Sequence, residues 1–247
     1  MCNISDLQTK PLAKLVAYTA EADKVAINAA CLCYNSVPNS GVLKFCKDSG
    51  HESVFEHNAF TFEIQTSRII SQMFTRHRIA SFSQRSQRYV VEDAFSYITP
   101  IEVEQNPAFA NTWKEFQEEV QSFYTAMVAF GIPAEQARFA LTNATTTVFY
   151  MTANAREWRH FLRLRLCYRA QEDIRIIARI ILGELMRVCP TLFDDITYPC
   201  LMDGFCSQGK MRCGKIKFPG TSRLMPTKGE VKGIIALYMQ EVTTWGE

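Results

Sequence analysis

The stretch from Phe109 to Phe130 leaves the chain little choice of local structure. Phe109, Trp113, Phe116, Val120, Phe123, Met127 and Phe130 recur at alternating steps of four and three, which lines one face of a helix and fits no strand. Gly131 stops this helix and Pro133 opens the next, as their backbone chemistry favours. Such a stripe is expected to be core or to pack on another helix. Helical patterns also cover 20–35 and 40–47, whereas AFTFEIQTS (59–67) alternates apolar and polar residues as a half-buried strand does. It runs into RIISQMFTRHR, which reads as helix. TTTVFYMTA (145–153) is rich in β-formers and ends at Asn154. Asn154, with Glu157 three positions on, has the spacing of a capping box, so helices are expected from Ala155 to about Leu166 and from Ala170 to about Val188. This order predicts an α+β fold: an antiparallel sheet flanked by helices, including the long central amphipathic one. No repeat or Pro/Gly/Ser-rich linker divides the chain, so one domain is expected over 1–199, with a Cys-containing extension over 200–247.

Charge is informative because it is local. The net formal charge is only +2, too little for a general nucleic-acid or membrane binder. Yet RHRIASFSQRSQRY, residues 76–89, packs four arginines, one histidine, three serines and two glutamines into fourteen positions with no acid. Guanidiniums among hydroxyls and amides suit bidentate binding of an anion, phosphate above all. A second segment, NAREWRHFLRLRLCYRAQEDIR (154–175), carries six arginines and no lysine. The third, HESVFEH, is residues 51–57, and all four histidines of the chain, His51, His57, His77 and His160, lie in these three segments. They lack a metal-binding spacing such as HExxH, and the neighbouring guanidiniums would repel a cation, so no metal is expected there. An alternative for the arginine helices, with Trp158, Phe161 and Tyr168 interleaved, is single-stranded RNA binding by stacking and phosphate contact.

The N-terminus, MCNISDLQTKPL, shows neither a basic region nor an apolar run, and no window is apolar for long enough to span a bilayer. A soluble, cytoplasmic protein is expected, with most of its nine cysteines reduced. Cys31 and Cys33 read as core packing. Cys189, Cys200, Cys206 and Cys213 could surround a zinc ion, although CxxC pairs are lacking.

Arg76, His77 and Arg78, followed after seven residues by Ser86, resemble the signature of the flavin-dependent thymidylate synthases. The block from His51 through Phe62 and that from Asn154 through Arg175 are similar to the same family's flanking motifs, in the same order. The resemblance covers about 20–195. It implies a homotetramer that binds FAD and converts dUMP to dTMP, with methylenetetrahydrofolate supplying the carbon, NADPH the reducing equivalents, and no cysteine nucleophile. It also implies that Ser53, Arg76, His77, Arg78, Gln84, Asn154, Arg156 and His160 contact FAD. Arg76, Gln84, Arg85, Ser86, Gln87, Arg88, Arg138 and Arg165 would hold dUMP, with Arg165 the catalytic group against the uracil. The chain departs from the family pattern at Met73, at Cys31, at Leu141 and Thr142, and at Gln84, where some members have Glu.

Spacing adds one inference. At 100° per residue His160 lies about 40° around a helix from Arg156, and Arg165 about 180°. Either that helix breaks before Arg165, or it lies between two pockets and serves each with one face.

Overall fold

The computed structural model describes residues 8–39, 41–91 and 96–216. The elements are β1 (Gln8–Thr9), β2 (Leu12–Tyr18), α1 (Ala22–Tyr34), α2 (Gly41–Asp48), β3 (Ala59–Ser67), α3 (Arg68–Phe74), β4 (Ala80–Gln84) and β5 (Tyr97–Ile98). There follow α4 (Ile101–Glu104), α5 (Pro107–Ala129), α6 (Ala134–Ala137), β6 (Thr146–Asn154), α7 (Ala155–Arg165), α8 (Glu172–Val188), α9 (Pro190–Phe193) and α10 (Pro199–Asp203). A four-stranded antiparallel sheet has the order β2-β3-β6-β4, and β1 pairs with β5 in parallel. The expected α+β class is therefore observed. Of the expected C-terminal extension, residues 217–247 lie outside the described residues, and so does Ser40 at the start of the second expected helix.

The chain divides into two compact units, Met1–Ala13 with Glu63–Met151, and Lys14–Phe62 with Thr152–Glu247. In the first, Phe149 anchors the core between Phe74, 5.3 Å away edge-on, and Phe82 at 6.3 Å. The expected helix over RIISQMFTRHR is shorter than its pattern. It closes at Phe74, where the Thr75 hydroxyl donates to the Gln72 carbonyl and the His77 N–H to Phe74, and the chain leaves as strand β4.

Helix α5 forms as its periodicity demands, with Pro107 in its first turn. Its apolar stripe is only partly core within the chain, with Trp113, Val120 and Met127 half-buried. Phe109, Phe116, Phe123 and Phe130 are 52%, 47%, 62% and 87% exposed, while Gln117 and Tyr124 are buried. One step along the helix turns it by about 100°. On the inner face the Thr142 hydroxyl donates to the Gln117 side-chain oxygen at 3.0 Å, while the Gln117 amide nitrogen is buried without a partner among the described residues.

In the second unit Trp158 is fully buried, its indole N–H donating to the Phe60 carbonyl at 3.0 Å and its ring edge-on to Phe62 and Phe161. Both aromatic rings and arginine chemistry hold this core. Arg159 is 6% exposed and bonds Asp195 bidentately at 2.7 Å for each arm, with further bonds to the Leu192 carbonyl and Glu52. Burial alone would raise the Asp195 carboxyl, but hydrogen bonds and charge from Arg159, with the charge of Lys47, hold it below the usual carboxylate range. A depressed carboxyl contributes stability that is full above its unfolded value, near 3.9, and is lost as pH falls through the folded value. Urea unfolding followed from about pH 6 to about pH 3 is expected to show this loss, and Asp195→Asn to flatten it; an unchanged pH profile in that variant would assign the acid sensitivity to other carboxylates. The expectation for the early cysteines holds for Cys31, which is buried, and fails for Cys33, which α1 turns to the surface.

Candidate active site

The first unit holds Arg76, His77, Arg78, Gln84, Arg85, Ser86, Gln87, Arg88 and Arg138. Because α3 stops at Phe74, Arg76 and Arg78 stand exposed on either side of a buried His77. Exposed guanidiniums at a turn suit a ligand with more than one anionic group. Gln84 ends β4 with its amide nitrogen donating to Ser71 Oγ and Thr147 Oγ1, both at 3.0 Å, so its side-chain oxygen is the group left to accept. Beyond it the Arg85 N–H donates to the Val148 carbonyl, and Ser86 Oγ accepts the Arg88 N–H at 3.2 Å. Arg88 Nε donates to Glu135 Oε2 at 2.7 Å, and Arg138 Nε to the Glu135 carbonyl at 3.1 Å. The fold thus supplies the acid that residues 76–89 lack, from 47 positions away. Sequence reasoning missed Glu135, since nothing near it in the chain marks it as an arginine partner.

The second unit holds Ser53, Asn154, Arg156, His160 and Arg165. Ser53 is exposed in the 3-10 turn Glu52–His57. Asn154 Oδ1 accepts the Glu157 N–H at 2.9 Å, which is the cap read from the sequence. Arg156 is exposed and bonds Glu56 at 2.5 Å, with Glu52 at 4.0 Å. His160 is exposed one turn further on. Burial raises the Glu157 carboxyl above its usual range, opposed by the charge of His160. Arg165 is the last residue of α7 and is half-buried, which lowers its guanidinium below the usual arginine range.

The six arginines of 154–175 therefore do different work. Arg159 is structural, and Arg175 donates to the Tyr168 carbonyl at 3.1 Å and lies over that residue's ring. Arg163 pairs with Asp203, and Arg169 donates to the Met211 carbonyl. Burial of Trp158 and Phe161 also removes the alternative of bases stacking on these rings.

Past the C-terminus of α7 lies a cavity of about 650 Å³, lined among others by Arg165, Cys167, Tyr168, Cys200, Cys206 and Cys213. Tyr168 stacks on Tyr198 at 4.9 Å, and their hydroxyls bond at 3.0 Å. Burial pushes the Cys200 thiol up to about 11, and Cys206, Cys167 and Cys213 add to the shift. The cysteine set read from the sequence is corrected here. Cys189 is buried elsewhere, its thiol donating to Asp23 at 2.9 Å, and burial followed by that carboxylate raises its pKa. Cys167 takes its place beside the other three.

A family model described as "Thymidylate synthase complementing protein" matches residues 14–191. A protein of Geobacter sulfurreducens named flavin-dependent thymidylate synthase is 40% identical over 216 residues, 81% of this chain and 93% of that one. A protein of Clostridium tetani with the same name is 36% identical over 234 residues, 82% and 92% of the two chains. Among solved structures, a UMP/dUMP methylase, PolB from Streptomyces cacaoi, superposes with a TM-score of 0.67 at 24% identity, covering 76% of this chain and 95% of that one. That last likeness is one of fold.

Proposed function

The chain belongs to the flavin-dependent thymidylate synthase family, and on that premise we propose that it methylates dUMP to dTMP. The carbon donor is methylenetetrahydrofolate and the reductant NADPH. The observation that carries the reading to this chain's own residues is the meeting of Arg88 and Arg138 at Glu135, with Ser86 bonded into the same turn. Two guanidiniums that meet at one residue from distant parts of the chain, with a hydroxyl beside the first, match a phosphate monoester. Arg76, Gln84, Arg85, Gln87 and Arg165 complete the dUMP contacts, with the oxygen of Gln84 accepting from the base.

FAD suits donors in each unit: in the first, the exposed guanidiniums of Arg76 and Arg78 answer phosphate groups, with buried His77 between them and Gln84 further on; in the second, exposed Arg156, Ser53 and His160 do so with Asn154. When bound it supplies the two-electron chemistry that the side chains cannot. The chain's residues bind and orient. Arg165 places a partly desolvated cation against the pyrimidine, where it stabilises negative charge developing on the ring. No thiol is required as nucleophile. Residues 1–199 act as one catalytic domain in a homotetramer, which the outward aromatic face of α5 supports by offering a surface for another copy.

The direct test is a flavin absorption spectrum of the purified protein together with dUMP-dependent formation of dTMP; a colourless chain without turnover overturns the reading. Arg88→Ala is expected to weaken dUMP binding by about 1.5 to 3 kcal/mol, the scale of a charge-assisted hydrogen bond, as titration calorimetry would measure. Flavin content should stay as it was. Lost FAD with intact dUMP affinity would move Arg88 to the cofactor.

A further inference from the structure

We propose that Ser71 and Thr147 are positioning residues that fix which end of the Gln84 amide faces the substrate, and so make this chain select uracil over cytosine. The inference rests on the reading above, in which the Gln84 oxygen accepts from the base. All three residues belong to the first unit. Both hydroxyls are 2% exposed, one on α3 and the other on β6, and the Gln84 amide nitrogen donates to each at 3.0 Å. A hydroxyl can donate or accept, so these contacts alone would tolerate an inverted amide. Ser71 removes that freedom. Its single proton goes to the Arg68 carbonyl at 2.8 Å, a group that can only accept. Ser71 Oγ therefore meets Gln84 with its lone pairs and requires an N–H there. The polarity runs from a main-chain carbonyl through one buried hydroxyl to the end of β4, and leaves Gln84 Oε1 for the ligand.

An acceptor held in place discriminates between pyrimidines. Uracil offers an N3–H donor on its ring edge, whereas N3 of cytosine is a lone pair. Against a fixed Oε1 a cytosine ring sets two acceptors together and leaves both unpaired, a mismatch that polar sites reject strongly. A freely turning amide would offer N–H to cytosine as readily as oxygen to uracil. Without the Ser71 hydroxyl, Thr147 can donate to an inverted amide, so the lock is lost with that one oxygen. Thr147 holds the second N–H and restrains where the side chain lies; Ser71 sets its polarity.

The experiment measures dUMP and dCMP affinity for the FAD-loaded full chain by titration calorimetry, with dCMP read by competition. Ser71→Ala is expected to raise the dCMP-to-dUMP affinity ratio by about tenfold or more, the scale of one hydrogen bond gained by one ring and lost by the other. Ser71→Thr, which keeps a hydroxyl, should hold the ratio near that of the parent. Thr147→Val should weaken dUMP binding and leave the ratio little changed. The deciding arm is Gln84→Glu, whose carboxylate accepts at both ends: in that background Ser71→Ala should no longer move the ratio. A hydroxyl that only supports the fold would lower both affinities alike, in either background. Circular dichroism checks folding; should Ser71→Ala not fold, Ser71→Cys, weak as donor and acceptor, carries the same expectation. A parent that binds dUMP and a ratio that Ser71→Ala leaves unmoved overturn the lock alone, as does a ratio that moves equally in the Gln84→Glu background. A parent that binds neither nucleotide overturns the dUMP reading and the proposal with it.

Discussion

Arg165→Ala is expected to lower kcat by about 10²- to 10³-fold, a loss of about 2.7 to 4 kcal/mol, the range seen when one preorganised donor is removed from a site of developing charge. The size follows from where α7 ends. Arg165 is its last residue and is half-buried, enough for desolvation to lower its pKa, so its charge acts through a medium less polarisable than water. Flavin content and the thermal midpoint should stay close to those of the parent. Arg165→Lys should recover only part of the rate, because an ammonium restores charge without the planar fork. If the arginine favours the ionised pyrimidine, the alanine variant should regain activity as pH rises, since solvent hydroxide then does what the cation did. Steady-state kinetics across pH decides the matter. A variant with unchanged kcat and a raised KM would make Arg165 a binding group and not a catalytic one.

What could be read from the sequence was set by how local each cause is. Strand β3 follows its alternation, with Phe60, Phe62, Ile64 and Thr66 all buried, and the Asn154 cap forms because both partners lie within one turn. The signature arginines were legible because family motifs preserve spacing along the chain. Long-range pairings were not. Glu135 reaches Arg88 only after α5 and α6 have folded, and Cys167 meets the later cysteines only through the turn after α7. The α5 stripe shows a different gap: periodicity identifies a face but not what covers it, and within this chain Gln117 and Tyr124 are the buried residues of that helix.

Mixing two inactive variants, Arg156→Ala and Arg165→Ala, is expected to restore activity, provided subunit exchange is shown independently. The two arginines lie nine positions apart on one helix, about 13.5 Å along its axis and about 180° around it. Of the two ways to reconcile that spacing with a small substrate, a break before Arg165 is excluded, because α7 runs unbroken from Ala155 to Arg165. Their surroundings agree: Arg156 meets Glu56 and Glu52, while Arg165 faces the cavity beside Cys167 and Tyr168. On the proposed reading, two arginines on opposite faces would serve two different active sites, in an oligomer whose sites draw on more than one chain. In equal mixtures with random exchange, about a quarter of sites inherit both native arginines, one from each parent. Activity should therefore climb from the residual level of either variant, about 1% or less for Arg165→Ala by the scale of a lost transition-state contact, to roughly a quarter of the parental rate. If both arginines of a site came from one chain, every site in every mixture would carry one defect, and the rate would not rise at all.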